Sequence, residues 1–541
     1  MLPPSASPDT TRRRRARWRT AIELAVSLAV LVVLFRAFLA GGYMIETGSM
    51  APCLVGYHWQ ATCPSCRYSF AVEGSRNKTR AVCPNCGKGR IAVETLPRND
   101  GDHLLVHRTA FAFRAPRRWE VVVFRNPNRP TQAYVKRMIG LPGESVEIRD
   151  GDIYIDGAIQ AKPYATQRGM RIPVYDQDYR PDPDDPDWLP RWSPAVNQDG
   201  WSAEGGAFLY SPPPGARSER PSPPTMSWVN YRHWIRGGGA HQTSVPLARW
   251  PDEVAALEPG LGALRYDSAE GNLICRGALP RAMRDELLQP VADPAFRQVI
   301  ERLYEASHIA PLTDVYGYNR GPGGGGEHEV RDLMLELRVK DHGAGGQFAV
   351  ELSDGTETLQ CVFDLDGRRA QLLDTRTGKA VRSTDLPAGR LAEPTVVEMS
   401  LMDHQALVAL DGVLLFEPWS YPAGVERGPT PWQPARFGAC QAQVDVDRLK
   451  LFRDVYYTAG EGRHPAGTSW RLRPDQYFVL GDNSPLSRDS RSWSDNTLLQ
   501  ADLFVGKPLV VHLPSRKSRV RMGNWETEIR IPELSRIRYI H

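Results

Sequence analysis

The stretch YVKRMIGLPGESVEIRDGDIYIDG, residues 134–157, decides the fold. It reads as short strands separated by turns, with Asp150-Gly151 and Asp156-Gly157 as two-residue hairpin turns. HLLVHR (103–108) and WEVVVFR (119–125) carry the pattern back toward the N-terminus. Residues 100–165 are therefore expected to form an all-β core. Inside it, Lys136 stands among apolar neighbours. An ammonium buried there loses hydration, its pKa falls, and it can take a proton from a serine. Taken alone, such a lysine is as a rule exposed or salt-bridged.

Working outward from this core, 541 residues exceed one ordinary hydrophobic core, so two or more domains are expected. The net charge of +4 is unevenly spread. Residues 1–20 hold Arg12, Arg13, Arg14, Arg15, Arg17 and Arg19 against Asp9, leaving the rest of the chain near neutrality. A nucleic-acid binder carries its charge on the folded body, so this patterning argues against that class. The basic tail belongs at a membrane. Residues 21–44, AIELAVSLAVLVVLFRAFLAGGYM, supply a matching apolar stretch. From Ala21 to Gly42 a helix would reach roughly 33 Å at ~1.5 Å per residue, enough for a bilayer core. Glu23 and Arg36 lie toward its ends, where long side chains reach the interface. The positive-inside rule keeps residues 1–20 cytoplasmic and places everything after Gly42 across the membrane. A cleaved leader is the rival reading, but the apolar core is long for one.

Beyond the core, residues 176–226 are rich in Pro, Asp, Trp and Ser and read as an extended, solvated connector. AFRQVIERLYEA (295–306) reads as an amphipathic helix, and Gly323–Gly326 as a flexible loop. Alternation returns from 331 to 457, with Leu333, Leu335, Leu337 and Val339 sharing one face and Phe348, Val350 and Leu352 another. Turn pairs at Asp354-Gly355, Asp366-Gly367 and Asp411-Gly412 suggest an antiparallel sandwich. Residues 166–457 thus read as an insert, since strands and chemistry-bearing motifs resume only at 477–493. Between 57 and 99 stand Cys63-Pro-Ser-Cys66 and Cys83-Pro-Asn-Cys86-Gly87, in a segment with few apolar residues of its own. That spacing fits a tetrahedral zinc ribbon, with disulfides as the alternative in an external compartment.

Three segments carry chemistry: ETGSMAPCL (46–54), YVKRMIGLPGE (134–144) and GDNSPLSRDSR (481–491). A serine is a weak nucleophile until a positioned base removes its proton, and no histidine sits in a nucleophile motif here. Together the segments closely resemble bacterial type I signal peptidases. The resemblance covers the anchor, residues 43–56, 100–165 and 470–541. The family's Ser-Gly-Ser-Met-x-Pro-Thr-Leu stands here as Thr47 to Leu54, with Cys53 in place of Thr. Its Lys-Arg-x-x-Gly-x-Pro-Gly-Asp stands as Lys136 to Glu144, with Glu in place of the final Asp. Its last signature, Gly-Asp-Asn-x-x-x-Ser-x-Asp-Ser-Arg, is matched from Gly481 to Arg491.

The resemblance implies that Ser49 attacks the scissile carbonyl, Lys136 takes its proton, and Ser487 orients the lysine. Thr47 falls at the side-chain oxyanion donor, beside the Ser49 N–H. Arg137, Asp489 and Arg491 would form a supporting ion-pair network, with Gly481, Asp482 and Asn483 as turn and scaffold residues. The strand pattern of the insert and LVALDGVLLFE (407–417) resemble laminin-G or concanavalin-like domains.

The expected whole is a mainly β protein: a signal-peptidase-like antiparallel domain behind one transmembrane helix, interrupted by a large β-sandwich. Its segments are a basic tail (1–20), a transmembrane helix (21–42), a nucleophile segment (43–56), a zinc-ribbon-like insert (57–99), a core (100–165), the sandwich insert (166–457) and the rest of the core (458–541). It would be a single-pass inner-membrane enzyme with its catalytic domain on the outer face, releasing leaders from exported preproteins. Expected partners are those preproteins, the lipid bilayer and the export machinery, without nucleic acid. No cofactor is needed for the chemistry; a structural zinc at Cys63, Cys66, Cys83 and Cys86 is the metal expected. Alternatives are a Ser-Lys processing peptidase of narrow substrate range and a surface-binding module on an inactive core.

Overall fold

The structure is a computed structural model that describes residues 18–30, 40–74, 79–185, 187–196, 198–213, 225–236, 242–254, 264–319, 328–387, 389–422, 428–459, 469–493, 498–512, 514–522 and 525–540. It is mainly β, with a large sandwich-like part. The chain's first described element is a helix over residues 18–30. Among the described residues no helix is long and apolar enough to cross a membrane. Most of the basic tail, and residues 31–39 of the expected anchor, lie outside the described residues.

The sheet that bears Lys136 is assembled from distant parts of the chain. Its order is Ala40–Met44, His103–His107, Phe504–Val511, Val121–Asn126, Arg129–Gly140, Gln476–Leu480 and Leu499–Gln500, with Arg538–Tyr539 also on Phe504–Val511. The neighbouring pairs are antiparallel. Val121, Val123, Leu104, Val106, Ile45, Met50 and Leu54 make a core on one side of this sheet, and Val122, Phe124, Met138 and Val479 on the other. A smaller sheet, Ala158–Ile159, Asp152–Ile155, Ser145–Arg149 and Ser469–Arg471, adjoins it. Its hairpin turns are the expected ones: Asp150 and Gly151, like Asp156 and Gly157, both take positive φ, as a type I′ turn requires.

Residues 172–453 supply two facing sheets of their own. One centres on Val444–Arg453, Leu333–Asp341 and Thr395–Met402, the other on Ala435–Cys440, Gln347–Ser353 and Thr358–Asp364. The predicted alternation holds, since Leu333, Leu335, Leu337, Val339, Phe348, Val350 and Leu352 are all buried between them.

The reading of 176–226 as a solvated connector is corrected by the structure. Trp192–Pro194, Trp201–Glu204 and Ala207–Tyr210 are strands of the two sheets, and Trp188, Trp192, Phe208 and Tyr210 enter the sandwich core. Trp192 and Phe208 pack edge-on or tilted against Tyr231 and Phe437, and the burial of these rings outweighs the chain-breaking effect of the prolines between them. The expected helix is present as Pro294–Ser307, capped by Asp293, with Phe296, Ile300, Leu303 and Tyr304 buried on one face. It packs on a small sheet of Gln242–Pro246, Asn272–Arg276 and Leu264–Asp267.

The cysteine segment is also more apolar than expected. Trp59, Phe70, Val72, Ile91 and Val93 are buried and continuous with the sandwich core. The segment therefore leans on the insert. Asn85 bonds Asp176 and Tyr179, Ser65 bonds Asp185, and Arg236 donates to the Cys86 carbonyl.

Candidate active site

Ser49 is set on a tight turn. Ala51 N donates to Gly48 O and Leu54 N to Met50 O, which coils residues 48–54 while Met50, Ala51 and Leu54 anchor the turn in the interior. Opposite stands the end of the long strand Arg129–Gly140, buried from Val135 onward, where Lys136 pairs in register with Val122. The Lys136 side chain is 3% exposed, and its Nζ lies 2.5 Å from Ser49 Oγ. Burial pushes the Lys136 pKa down to about 8, against the pull of Asp489 and Asp482. A neutral amine beside a serine hydroxyl is therefore accessible near neutral pH. Thr47 Oγ1 lies 3.5 Å from Ser49 Oγ.

The segment 481–491 wraps the same turn. Asn483 N donates to Ser49 O at 3.1 Å, and Asn483 Nδ2 donates to Gly48 O at 2.8 Å. Gly481 is required by closeness: a Cβ there would lie 2.2 Å from Ser487 Oγ and 2.4 Å from Ser49 O. Ser487 Oγ is buried beside this turn, but no hydrogen bond joins it to Lys136.

The ion pairs divide differently from the expected single network. Arg137 faces away from Lys136 and is held by Asp482, with Nε–Oδ1 at 2.8 Å and Nη2–Oδ2 at 2.6 Å. Arg491 pairs separately with Asp489 at 2.7 Å, and Asp489 also accepts from Gly481 N. Burial disfavours each guanidinium's charge, and the facing carboxylate more than offsets it, so both arginines sit above their ordinary pKa. Burial likewise raises Asp489, but Arg491 outweighs it and holds the carboxyl below its usual value. Glu144, the departure from the family pattern, pairs with Arg118 at 2.6 Å and accepts from Leu141 N. Cys53 is half-buried, 3.9 Å from Arg137 Nη2, and burial raises its pKa to about 11.

Sequence reading missed three residues. Tyr316, Tyr318 and Asn319 come from the insert and reach the nucleophile turn and the 481–483 segment. The signal available was the aromatic run VYGYN (315–319), which matches none of the recognised motifs.

The four cysteines converge elsewhere. Their sulfurs all lie within 4.8 Å of one another, with Cys63–Cys86 and Cys66–Cys83 each at 3.6 Å. Sulfurs at the corners of a tetrahedron of ~2.3 Å Zn–S bonds would be about 3.8 Å apart, whereas a disulfide needs about 2.05 Å. The donor set fits a zinc ion. In a second group, Asp152, Asp332 and Asp403, one member is already paired with a buried ammonium: Lys162 Nζ lies 2.5 Å from Asp403, and 2.7 Å from Asp454 outside the group.

Residues 90–196 match the family described as "Signal peptidase, peptidase S26". Relatives include signal peptidase I V of Bacillus subtilis (strain 168), 34% identical over 65 residues, which are 12% of this chain and 38% of that protein. Signal peptidase I of Bacillus licheniformis is 27% identical over 150 residues, 28% of this chain and 55% of that one. Over these residues the chain is similar to type I signal peptidases. The chain spans about half or less of the length of these relatives. The family match takes in Lys136 and Arg137, while Ser49 and 481–491 lie outside it. Among solved structures, carbohydrate-binding module CBM66 from Bacillus subtilis aligns with 22% of this chain and 74% of its own, at 9% identity and a TM-score of 0.18, too slight a likeness to carry an inference.

Proposed function

We propose that the protein is a signal peptidase I, a membrane-anchored serine endopeptidase that releases N-terminal leaders from exported preproteins. The observation that carries this reading is the 2.5 Å approach of a buried lysine, depressed to a pKa of about 8, to the Ser49 hydroxyl. Neutral Lys136 takes the Ser49 proton as Oγ attacks the scissile carbonyl carbon. Charge then gathers on the carbonyl oxygen, and Thr47 Oγ1 with the Ser49 N–H are the donors assigned to it. Protonated Lys136 returns the proton to the leaving amine as the peptide bond breaks, leaving the leader esterified to Ser49. A water then gives its proton to Lys136 and attacks the ester carbonyl carbon. As the ester bond breaks, Lys136 passes that proton to Ser49 Oγ, the leader departs as its carboxylic acid, and the neutral dyad is restored. Ser487 is assigned to steady Lys136 in this cycle, Asp482 and Asp489 to fix Arg137 and Arg491, and residues 21–42 to hold the domain at the bilayer, where leaders reside.

Cys63, Cys66, Cys83 and Cys86 are the proposed ligands of a structural zinc, which would crosslink residues 57–99 and take no part in the chemistry. The deciding assay incubates purified protein with a preprotein and determines the new N-terminus of the product. Cleavage after a leader by the native protein, and none by Ser49→Ala, is expected. Equal cleavage by both sinks the proposal.

A further inference from the structure

The segment Tyr316–Asn319 belongs to the stretch between the helix Pro294–Ser307 and the sandwich strand Leu333–Asp341, yet it is fastened to the Ser49 turn. Tyr316 OH donates to Asp482 O at 2.7 Å. Tyr318 lies directly on Gly48, where an added Cβ would come within 2.2 Å of its ring. Its hydroxyl donates to Tyr57 O at 3.1 Å, and its carbonyl accepts from Glu73 N at 2.9 Å. Asn319 meets Asn483 as a reciprocal amide pair: Asn319 Nδ2 donates to Asn483 Oδ1 at 2.6 Å, and Asn483 Nδ2 donates to Asn319 Oδ1 at 2.8 Å.

That pair matters because of what Asn483 does next. The same Nδ2 donates to Gly48 O, and the Asn483 backbone N–H donates to Ser49 O. Both carbonyls flanking the nucleophile therefore hang on Asn483, and its amide plane is fixed by Asn319. We propose that Asn319 is a positioning residue for Ser49, acting through Asn483, so that the inserted block completes the reactive turn. This rests on the peptidase reading above. A nucleophile displaced by about 1 Å can lose on the order of 100-fold in rate without losing its fold.

Asn319→Leu keeps the branched shape and removes both hydrogen bonds. Its kcat is expected to fall about 10- to 100-fold. KM should stay within about twofold of the native value, because the loss concerns reactive geometry rather than substrate binding. Thermal stability should be close to native. Asn319→Asp, which still accepts from Asn483 Nδ2, should recover part of the rate. Combining Asn319→Leu with Asn483→Ala should cost little more than Asn483→Ala alone. Amide hydrogen exchange of residues 48–51 gives a readout independent of turnover, and it should quicken in Asn319→Leu. Native kcat with native exchange in that variant overturns the proposal, as does a rate loss explained wholly by unfolded protein. Should native protein and Ser49→Ala cleave alike, the peptidase reading fails instead. Exchange at 48–51 then decides: unchanged rates refute the clamp, and faster rates uphold it.

Discussion

Lys136 can serve Ser49 as a base only while it is neutral. Burial is the largest influence on it and brings its pKa to about 8. On the proposed mechanism kcat/KM climbs about tenfold per pH unit up to about pH 8 and levels off above it, since acid protonates the amine. A pH profile of the purified protein checks this, and a rate independent of pH below about 7 removes Lys136 from the role. Ser49→Ala and Lys136→Ala should each lower kcat on the order of 10⁴-fold or more, and the double variant should be scarcely worse, because the two act as one unit. Asp482→Asn probes a different energy. It leaves the Arg137 guanidinium buried without its carboxylate, so a stability loss of about 3–5 kcal/mol is expected by denaturant titration. Ser49, Lys136 and the 481–491 segment were legible as motifs because their chemistry demands fixed residue types at short spacing. Asn319 was not, since an asparagine acts through its partners, and its partner Asn483 stands 164 positions away.

Individual strands announced themselves where one face is buried and a tight turn follows. Asp411 and Gly412, both at positive φ, close the hairpin between Gln405–Leu410 and Val413–Leu414 as their sequence predicts. The tryptophan-bearing stretch after residue 176 hid its strands because the prolines and aspartates between them carry a loop's composition. The cysteine segment lies between these cases. Its spacing was readable, but its burial in one continuous core with the sandwich was not. Protein purified without chelator is expected to hold about one zinc per chain by elemental analysis. Cys83→Ser should lose the metal and lower the melting temperature more than it lowers the rate of peptide cleavage. Metal-free protein whose four cysteines resist alkylation until reduced would replace zinc with disulfides.

At the scale of the whole chain, the proposed anchor puts every residue after Gly42 on the outer side. Protease added to intact spheroplasts is then expected to digest the protein beyond Gly42 and spare the arginine-rich end. Attack confined to the first twenty residues would reverse the orientation. Which strands neighbour one another was beyond sequence reading, because pairing between distant segments leaves no local pattern. The clearest case is Phe504–Val511, which lies between His103–His107 and Val121–Asn126. That placement sets a clock on biosynthesis. The two earlier strands emerge about 380 residues before the one that joins them, a wait of some tens of seconds at roughly 5–20 residues per second. Until then each is left with an open hydrogen-bonding edge, able to pair with other chains. A ribosome that stops short of residue 504 releases a chain that carries Ser49 and Lys136 but lacks the strand that joins the two halves of their sheet, so an unfinished copy holds both reactive groups without the frame that brings them together.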